Sequence, residues 1–150
     1  MSKNSHINSI HSRRGKYAKL LKQIEQDGVC PLCPKYLSKY HQKPIIKTGK
    51  YWLLTENQNP YEGLKYHFLV IHKKHKVNLT DLKSTDFSDL LNLFSWATKK
   101  YKLPAGSILL RFGDGHYNGA SVNHLHAHLM TGGPYKKGKK KIKIKVAYQK

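Results

Sequence analysis

Three histidines alternate with apolar residues between positions 123 and 130, and this pattern constrains the fold more than any other in the chain. Alternation with a period of two is typical of a β-strand. His124, His126 and His128 are therefore predicted to project from one face of a sheet, with the apolar residues packed on the other. Imidazoles spaced in this way can act together on one ligand. They indicate either a metal site or a nucleophilic site, because imidazole serves in both.

The charge of the chain favours anionic partners. Its 150 residues include 28 Lys and Arg against 8 Asp and Glu, a formal net charge of +20. Such an excess is typical of proteins that bind nucleotides, nucleic acid or an anionic surface, although a solvated basic surface has the same composition. Eight lysines fall between Lys136 and Lys150, a segment without acids. Within it, Lys141 to Val146 alternates lysine with apolar residues, which predicts a strand at a sheet edge with one basic face.

The two cysteines, Cys30 and Cys33, are too few and too close together for a disulfide scaffold. There is no apolar run of membrane-spanning length and no N-terminal leader pattern, so a cytoplasmic protein without a membrane partner is expected. In a reducing compartment, the C-x-x-C spacing indicates metal ligands or a redox motif. A closed tetrahedral zinc site would need two more ligands, and the candidates are His67, His72, His75, His116 and one histidine of the alternating set.

The remaining patterns predict an α+β domain, because strands and helices are mixed without regular βαβ alternation. The longer helix is expected over 78–102, with an apolar stripe at Phe87, Leu90, Leu91 and Phe94. A shorter N-terminal helix is expected over 13–26. A mainly antiparallel sheet of about five strands is predicted from 44–48, 50–55, 66–72, 107–112 and 122–130. The domain is predicted to span 13–134, with a flexible N-terminus at 1–12 and the lysine-rich segment at 135–150.

A loop with three glycines precedes the histidine strand. Gly113, Gly115 and Gly119 would let the backbone approach a phosphate, and next to Ser121 and the histidines this is favoured over an ordinary hairpin turn. Asp114 is the only acid after Asp89, which disfavours chemistry by paired carboxylates. A histidine nucleophile needs no carboxylate, because it can attack phosphorus and carry a phosphoryl or nucleotidyl group.

Four motifs, in order along residues 30 to 130, together resemble the zinc-containing, bacterial-type branch of the histidine triad (HIT) superfamily. They are Cys30-x-x-Cys33, the apolar run with histidines at 66–75, Gly-Ala-Ser-Val at 119–122, and His-x-His-x-His at 124–128. The resemblance implies a HIT-like fold and a nucleotide hydrolase or nucleotidyl transferase. The enzyme would act at the α-phosphate of an adenosine nucleotide, of the dinucleoside polyphosphate or nucleoside phosphoramidate type, through a covalent nucleotidyl-histidine. Phosphorylase activity is included in this range.

The resemblance also implies roles for individual residues. His126 would be the nucleophile, His128 would donate to the α-phosphate oxygens, and Ser121 would assist the leaving group. The implied nucleotide-binding residues are Asn57, His67, Gly119, Asn118 and Asn123. The implied ligands of a structural zinc are Cys30, Cys33, His75 and His124. Gly113 departs from the family pattern, since many members have Asn or Gln there to contact phosphate.

Two other functions remain open for this sequence. One is aprataxin-like removal of AMP from nucleic acid ends, which the charge of +20 favours. The other is a non-catalytic nucleotide- or RNA-binding module. A nucleic acid partner would bind through the basic tail. The resemblance further implies a homodimer, with which the apolar stripe around Phe94 and Trp96 is compatible, although a core position explains that stripe equally well.

Overall fold

The centre of the fold is a five-stranded antiparallel sheet. The computed structural model describes residues 6–11 and 15–150. The strands are β1 (Ile45–Thr48), β2 (Trp52–Glu56), β3 (Tyr66–His72), β4 (Ser107–Leu110) and β5 (His126–Thr131). They lie side by side in the order β1-β2-β3-β5-β4. The helices are α1 (Lys16–Asp27), α2 (Pro34–Tyr40), α3 (Ser84–Lys100) and α4 (Gly115–Asn118). The predicted α+β class, with about five strands and one long helix, is confirmed.

The main core lies between α3 and one face of the sheet. Because side chains alternate along a strand, every second residue of β2, β3 and β5 points toward this helix. The helix contributes Leu90, Leu93, Phe94 and Ala97, at the i, i+3, i+4, i+7 spacing of an amphipathic helix. Leu91, predicted as part of the stripe, is instead 61% exposed. Phe94 is buried in the core, so it does not belong to an exposed apolar surface.

The opposite face of the sheet carries the histidines. In the register of β3 and β5, Leu69 lies opposite His128 and Ile71 lies opposite His126. Within each strand, these residues are an odd number of positions from a core-facing residue, Phe68 in β3 and Ala127 in β5. Because side chains alternate, all four share the face of the sheet away from α3. The prediction that His126 and His128 project together is confirmed.

The predicted strand over 122–130 was wrong in its first half. Strand β5 begins at His126, and a bend at His124 separates the first histidine from the other two. The Leu125 N–H donates to the carbonyl of Lys76, and the His72 N–H donates to the carbonyl of Leu125. These bonds hold the backbone beside the end of β3 without extending β5, so His124 does not share the face of the other two.

Two short helices were not predicted. Helix α2 begins directly after Cys33, and α4 is a single turn inside the glycine loop. In that turn the Asp114 carboxylate accepts a hydrogen bond from the His116 N–H. No helix within the described residues is both long and apolar enough to cross a membrane.

Described residues near both ends of the chain contact the domain. Ile7, within the segment predicted to be flexible, is 2% exposed and pairs with Val122 in an isolated bridge. Residues 1–5 and 12, also predicted as flexible, lie outside the described residues. The predicted edge strand over 141–146 was wrong, since residues 132–150 form no strand. Ile142 packs instead against the domain, with its Cδ1 atom 3.5 Å from the position that a Cβ would take at Gly63.

A buried acid joins α3 to the end of β3. Asp86 is 3% exposed, and its carboxylate accepts hydrogen bonds from His72 Nε2 at 2.7 Å and from the Lys83 N–H at 2.8 Å. Burial opposes the charged form, but these bonds and the charge of Lys76 bring the pKa of Asp86 below its usual value. The carboxylate therefore stays charged at neutral pH and caps the first turn of α3.

Replacing Asp86 by alanine is expected to lower the free energy of unfolding by about 3 kcal/mol, because the change leaves a buried imidazole and a backbone N–H without their acceptor. Urea denaturation would measure the loss. The exposed Glu25 offers a matched control, and Glu25→Ala should change the stability by less than about 0.5 kcal/mol. Equal stability of the two variants would contradict the assigned role of Asp86.

Candidate active site and metal centre

A cavity of about 850 Å³ lies over the histidine face of the sheet. This volume is in the range of small-molecule sites, which combine an apolar lining with a few convergent polar groups. His126 and His128 supply polar groups from β5, and Ser121 supplies another from the segment before it. Much of the remaining wall is apolar and includes Tyr17, Leu20, Leu21, Ile24, Leu32, Tyr40 and Leu69.

The ring of His126 is oriented by the backbone of its own segment. Its Nδ1 lies 2.7 Å from the carbonyl oxygen of His124, so Nδ1 carries the proton and donates it to that oxygen. Nε2 is then left with its lone pair. Burial, with a further contribution from the charge of Arg111, lowers the pKa of His126 in spite of the opposing hydrogen bond to the carbonyl. The result is a neutral imidazole with one basic nitrogen.

His128 has the opposite tautomer, because a chain of hydrogen bonds fixes it from behind. The Tyr61 N–H donates to His67 Nδ1 at 3.2 Å, which leaves the proton of His67 on Nε2. That proton is donated to His128 Nδ1, 2.8 Å away. The proton of His128 is therefore on Nε2. Adjacent rings of β5 thus differ in character: His126 has a basic Nε2, and His128 has an N–H donor at the same ring position.

The other residues predicted to bind nucleotide fall into two groups. Asn57, Asn118 and Gly119 line the cavity together with the histidines. His67 is behind His128 and acts on it through the hydrogen bond just described. Asn123 is outside the lining, and its side-chain oxygen accepts a hydrogen bond from Asn8 Nδ2 at 3.0 Å.

Asn118, one of the residues predicted to bind nucleotide, has local hydrogen-bond partners. The side chain of Asn118 donates to the carbonyl of Phe112 at 2.8 Å and accepts from the Ala120 N–H at 2.9 Å. These bonds close the glycine loop. Gly113 has a φ of +75°, a conformation that side-chain-bearing residues rarely adopt, which explains why glycine is found there.

Several residues of the cavity wall were not predicted as site residues. Arg111 follows β4, and its Nε donates to the carbonyl of Asn118 at 3.2 Å. Tyr61 places its ring 4.8 Å from that of His67 and 6.1 Å from that of His128. The lysine-rich end of the chain also reaches the wall, with Lys143, Ile144, Lys145, Ala147, Tyr148 and Gln149 in the lining. A charge pattern alone cannot indicate such a position, because it depends on where the tail packs.

The four residues predicted as metal ligands come together at one point. The ligand atoms of Cys30, Cys33, His75 and His124 all lie within 4.8 Å of one another. His124 Nδ1 is 3.3 Å from Cys30 Sγ, 3.7 Å from Cys33 Sγ and 3.2 Å from His75 Nδ1. Donors bound to a tetrahedral zinc are roughly 3.3 to 3.8 Å apart, as its bond lengths require. The cluster is therefore compatible with zinc.

The chemistry of the cluster favours a metal over a redox pair. Without a metal, burial raises the pKa of the Cys30 thiol to about 12, which disfavours the reactive thiolate that a redox pair needs. The Nε2–H of His124 donates to the carbonyl of His72 at 2.7 Å, which leaves Nδ1 as a ligand atom. An outer hydrogen bond of this kind is typical of histidines that bind metals.

A family model described as "HIT domain" matches residues 40–134. A curated protein from Chlamydia muridarum (strain MoPn / Nigg), described as an uncharacterized HIT-like protein, is 41% identical over 73 residues. The match covers 45% of this chain and 55% of that protein, so the chain spans about half the length of the curated relative.

Solved structures agree with this fold. A histidine triad protein from Clostridium difficile superposes with a TM-score of 0.57 at 22% identity, over 73% of this chain and 96% of that one. A Zn-bound histidine triad family protein from Mycobacterium smegmatis superposes with a TM-score of 0.55 at 20% identity, over 80% and 84% of the two chains. A histidine triad nucleotide-binding protein from Candida albicans gives 0.56 at 20% identity, over 75% and 87%.

Proposed function

Because the chain belongs to the HIT domain family, whose model matches more than half of its residues, we propose that it is a nucleotide hydrolase or nucleotidyl transferase. Its substrate is an adenosine nucleotide with a leaving group on the α-phosphate. The observation that carries the proposal is the opposite protonation of two neighbouring rings on the cavity wall. His126 has the lone pair that a nucleophile needs, and His128 has the proton that a phosphate oxygen accepts.

In the first step, His126 Nε2 attacks the α-phosphorus. A phosphorus–nitrogen bond forms, and the bond from phosphorus to the leaving group breaks. The Nε2–H of His128 stabilises the charge on a non-bridging oxygen, as preorganised donors do. Ser121, also on the cavity wall, donates its hydroxyl proton toward the departing group.

In the second step, an acceptor displaces the nucleotidyl group from His126. Water as the acceptor gives AMP, and inorganic phosphate gives ADP. The His126 Nδ1–H remains bonded to the carbonyl of His124 throughout, so the ring keeps its orientation while Nε2 forms and loses the bond.

The apolar part of the wall supports a nucleoside as the bound group. Leu20, Ile24 and Leu32 line the cavity together with Tyr40, and such a lining accepts the flat face of a base. Asn57, from the loop after β2, lines the cavity at a position from which it could reach the ribose hydroxyls, and its Nδ2 donates to His67 Nδ1 at 3.4 Å.

We further propose that Cys30, Cys33, His75 and His124 hold a structural zinc. With these four residues as ligands, every position of a tetrahedral zinc would be taken by the protein, which is the pattern of structural rather than catalytic zinc. The ion would join the end of α1, the turn after β3 and the bend before β5. The homodimer and the nucleic acid partner expected from the sequence stay predictions.

A substrate panel tests the function. Diadenosine polyphosphates and adenosine phosphoramidate would be incubated with the protein, with and without inorganic phosphate, and the products identified by mass. AMP as the product in both conditions indicates a hydrolase, whereas phosphate-dependent ADP indicates a phosphorylase. Binding of the nucleotides without any product, and without a covalent adduct on the protein, would contradict catalysis and favour a binding module.

A further inference from the structure

The C-terminal strap, defined as residues 142–149, has no counterpart among the motifs that identify the family. We propose that the strap completes the cavity and selects nucleotides whose leaving group is a polyphosphate. This inference rests on the proposed function, since it assigns the substrate class of the same site. In this proposal, the basic tail acts as a wall of the cavity and not as a general anion-binding segment.

The strap is docked on the domain at three points along its length. The Ile142 Cδ1 atom lies 3.5 Å from the Cβ position at Gly63 and 3.6 Å from that at Gly132. Farther along, Arg111 Nη2 donates to the carbonyl oxygen of Lys145 at 2.8 Å. The Tyr148 hydroxyl lies 3.7 Å from the Cβ position at Gly119. These contacts lead the strap from the end of β5 to the glycine loop.

The charged residues among those described as lining the cavity are all basic. Lys143, Lys145 and Arg111 all contribute to the wall. Among the described residues that line this cavity, none is Asp or Glu. A low-dielectric wall with uncompensated positive charge attracts anions more strongly than the same charges in open solvent.

The chemistry at the α-phosphate does not use these cations. His126 and His128 act on that single phosphate, which has one negative charge while it is joined to both the nucleoside and the leaving group. A polyphosphate leaving group brings additional charges, and an amine leaving group brings none. The surplus of cations therefore matches a polyphosphate better than a phosphoramidate.

A short polyphosphate also matches the position of the strap better than a nucleic acid strand does. Only two of the eight lysines between residues 136 and 150 line the cavity. The other six are outside the lining. The cavity volume of about 850 Å³ is that of a small-molecule site, and the strap forms part of its wall.

The test compares two double variants of the full chain. Lys143→Gln with Lys145→Gln removes the lining charges while the aliphatic stems are largely kept. The matched control, Lys139→Gln with Lys141→Gln, removes the same charge from exposed positions outside the lining. Each would be assayed with diadenosine tetraphosphate and with adenosine phosphoramidate at fixed ionic strength.

The lining variant is expected to raise the KM for diadenosine tetraphosphate about tenfold, with an effect below about twofold on the phosphoramidate. The control variant should change both KM values by less than about twofold. An equal loss on both substrates would assign the strap a purely structural role, and no loss on either would remove its role in selection; both results overturn the proposal. A control variant as impaired as the lining variant would also overturn it.

A binding measurement separates this inference from the proposed function. If the wild-type chain turns over neither substrate, the proposed function fails, but calorimetry with inorganic tripolyphosphate still tests the strap. Weaker tripolyphosphate binding by the lining variant alone supports the inference. A reduced affinity for a single-stranded oligonucleotide, with tripolyphosphate binding unchanged, overturns it in favour of a nucleic acid partner.

Discussion

Replacing His126 by alanine is expected to abolish turnover of adenosine nucleotides, with a fall in kcat on the order of 10⁴-fold or more. The change removes the only group to which the nucleotidyl moiety would be attached in the proposed mechanism. Intact-protein mass spectrometry after rapid acid quench should show an added adenylyl group on the wild-type chain and none on the variant. The zinc content should be unchanged, because His126 is not one of the four clustered ligands.

The fold of this variant is expected to survive. His126 is half-buried, and its ring donates a hydrogen bond to the His124 carbonyl, so the loss of stability should be about 1 kcal/mol. His116→Ala, at an exposed histidine outside the cavity lining, is a matched control that should keep full turnover. An adenylyl adduct that persists in His126→Ala and disappears in His128→Ala would show that the nucleophile is His128 and not His126.

Replacing Cys30 by serine is expected to remove the metal and to lower the melting temperature by at least about 10 °C. Zinc bound at a site of this kind contributes apparent binding energy on the order of 10 kcal/mol, and only part of it needs to be lost for this shift. The zinc content measured by metal analysis should fall from one zinc per chain to less than about one tenth of a zinc per chain. Thermal unfolding followed by circular dichroism would measure the stability.

If Cys30→Ser does not fold, the contribution of the metal to stability can be measured on wild-type protein treated with a strong chelator. The chelated protein should show the lowered melting temperature, and added zinc should restore it. Both changes should be absent in a sample that receives chelator already saturated with zinc. Full zinc content in a folded Cys30→Ser protein would rule out this cluster as the metal site.

The metal and the nucleophile are expected to be coupled through one residue. His124 would bind the metal through its ring while its carbonyl holds the Nδ1–H of His126. Loss of the metal frees the bend at His124, so kcat should fall in chelated protein even though no catalytic group has been changed. Turnover should return with zinc along the same titration curve as stability.

Sequence periodicity predicted the part of the site that a strand determines. Alternation alone placed His126 and His128 on one face, and the structure agrees because both are inside β5. The same alternation placed His124 wrongly. Its position is decided by contacts with Cys30 and His75, which are 94 and 49 residues away in sequence, and such tertiary contacts override a local pattern.

The lysine-rich end of the chain is a second place where the sequence pattern did not predict the local structure. Alternating lysine and isoleucine favours a strand, but a strand needs a partner with free backbone groups in register. Ile142 finds apolar contact beside Gly63 and Gly132 instead, and Lys145 gives its carbonyl to Arg111. Neither contact is visible in the local sequence, so the cavity wall they build could not be predicted.

The short distance along the chain between the bend and the two strand histidines leaves no tolerance for changes in length. One residue inserted between His126 and His128 would rotate the second ring onto the α3 side of the sheet, because side-chain direction reverses with each residue. An insertion of two would restore the face but carry the ring roughly 7 Å along the strand, away from His67. Natural and engineered variants should therefore exchange apolar residues at 125 and 127 but keep this stretch free of insertions and deletions.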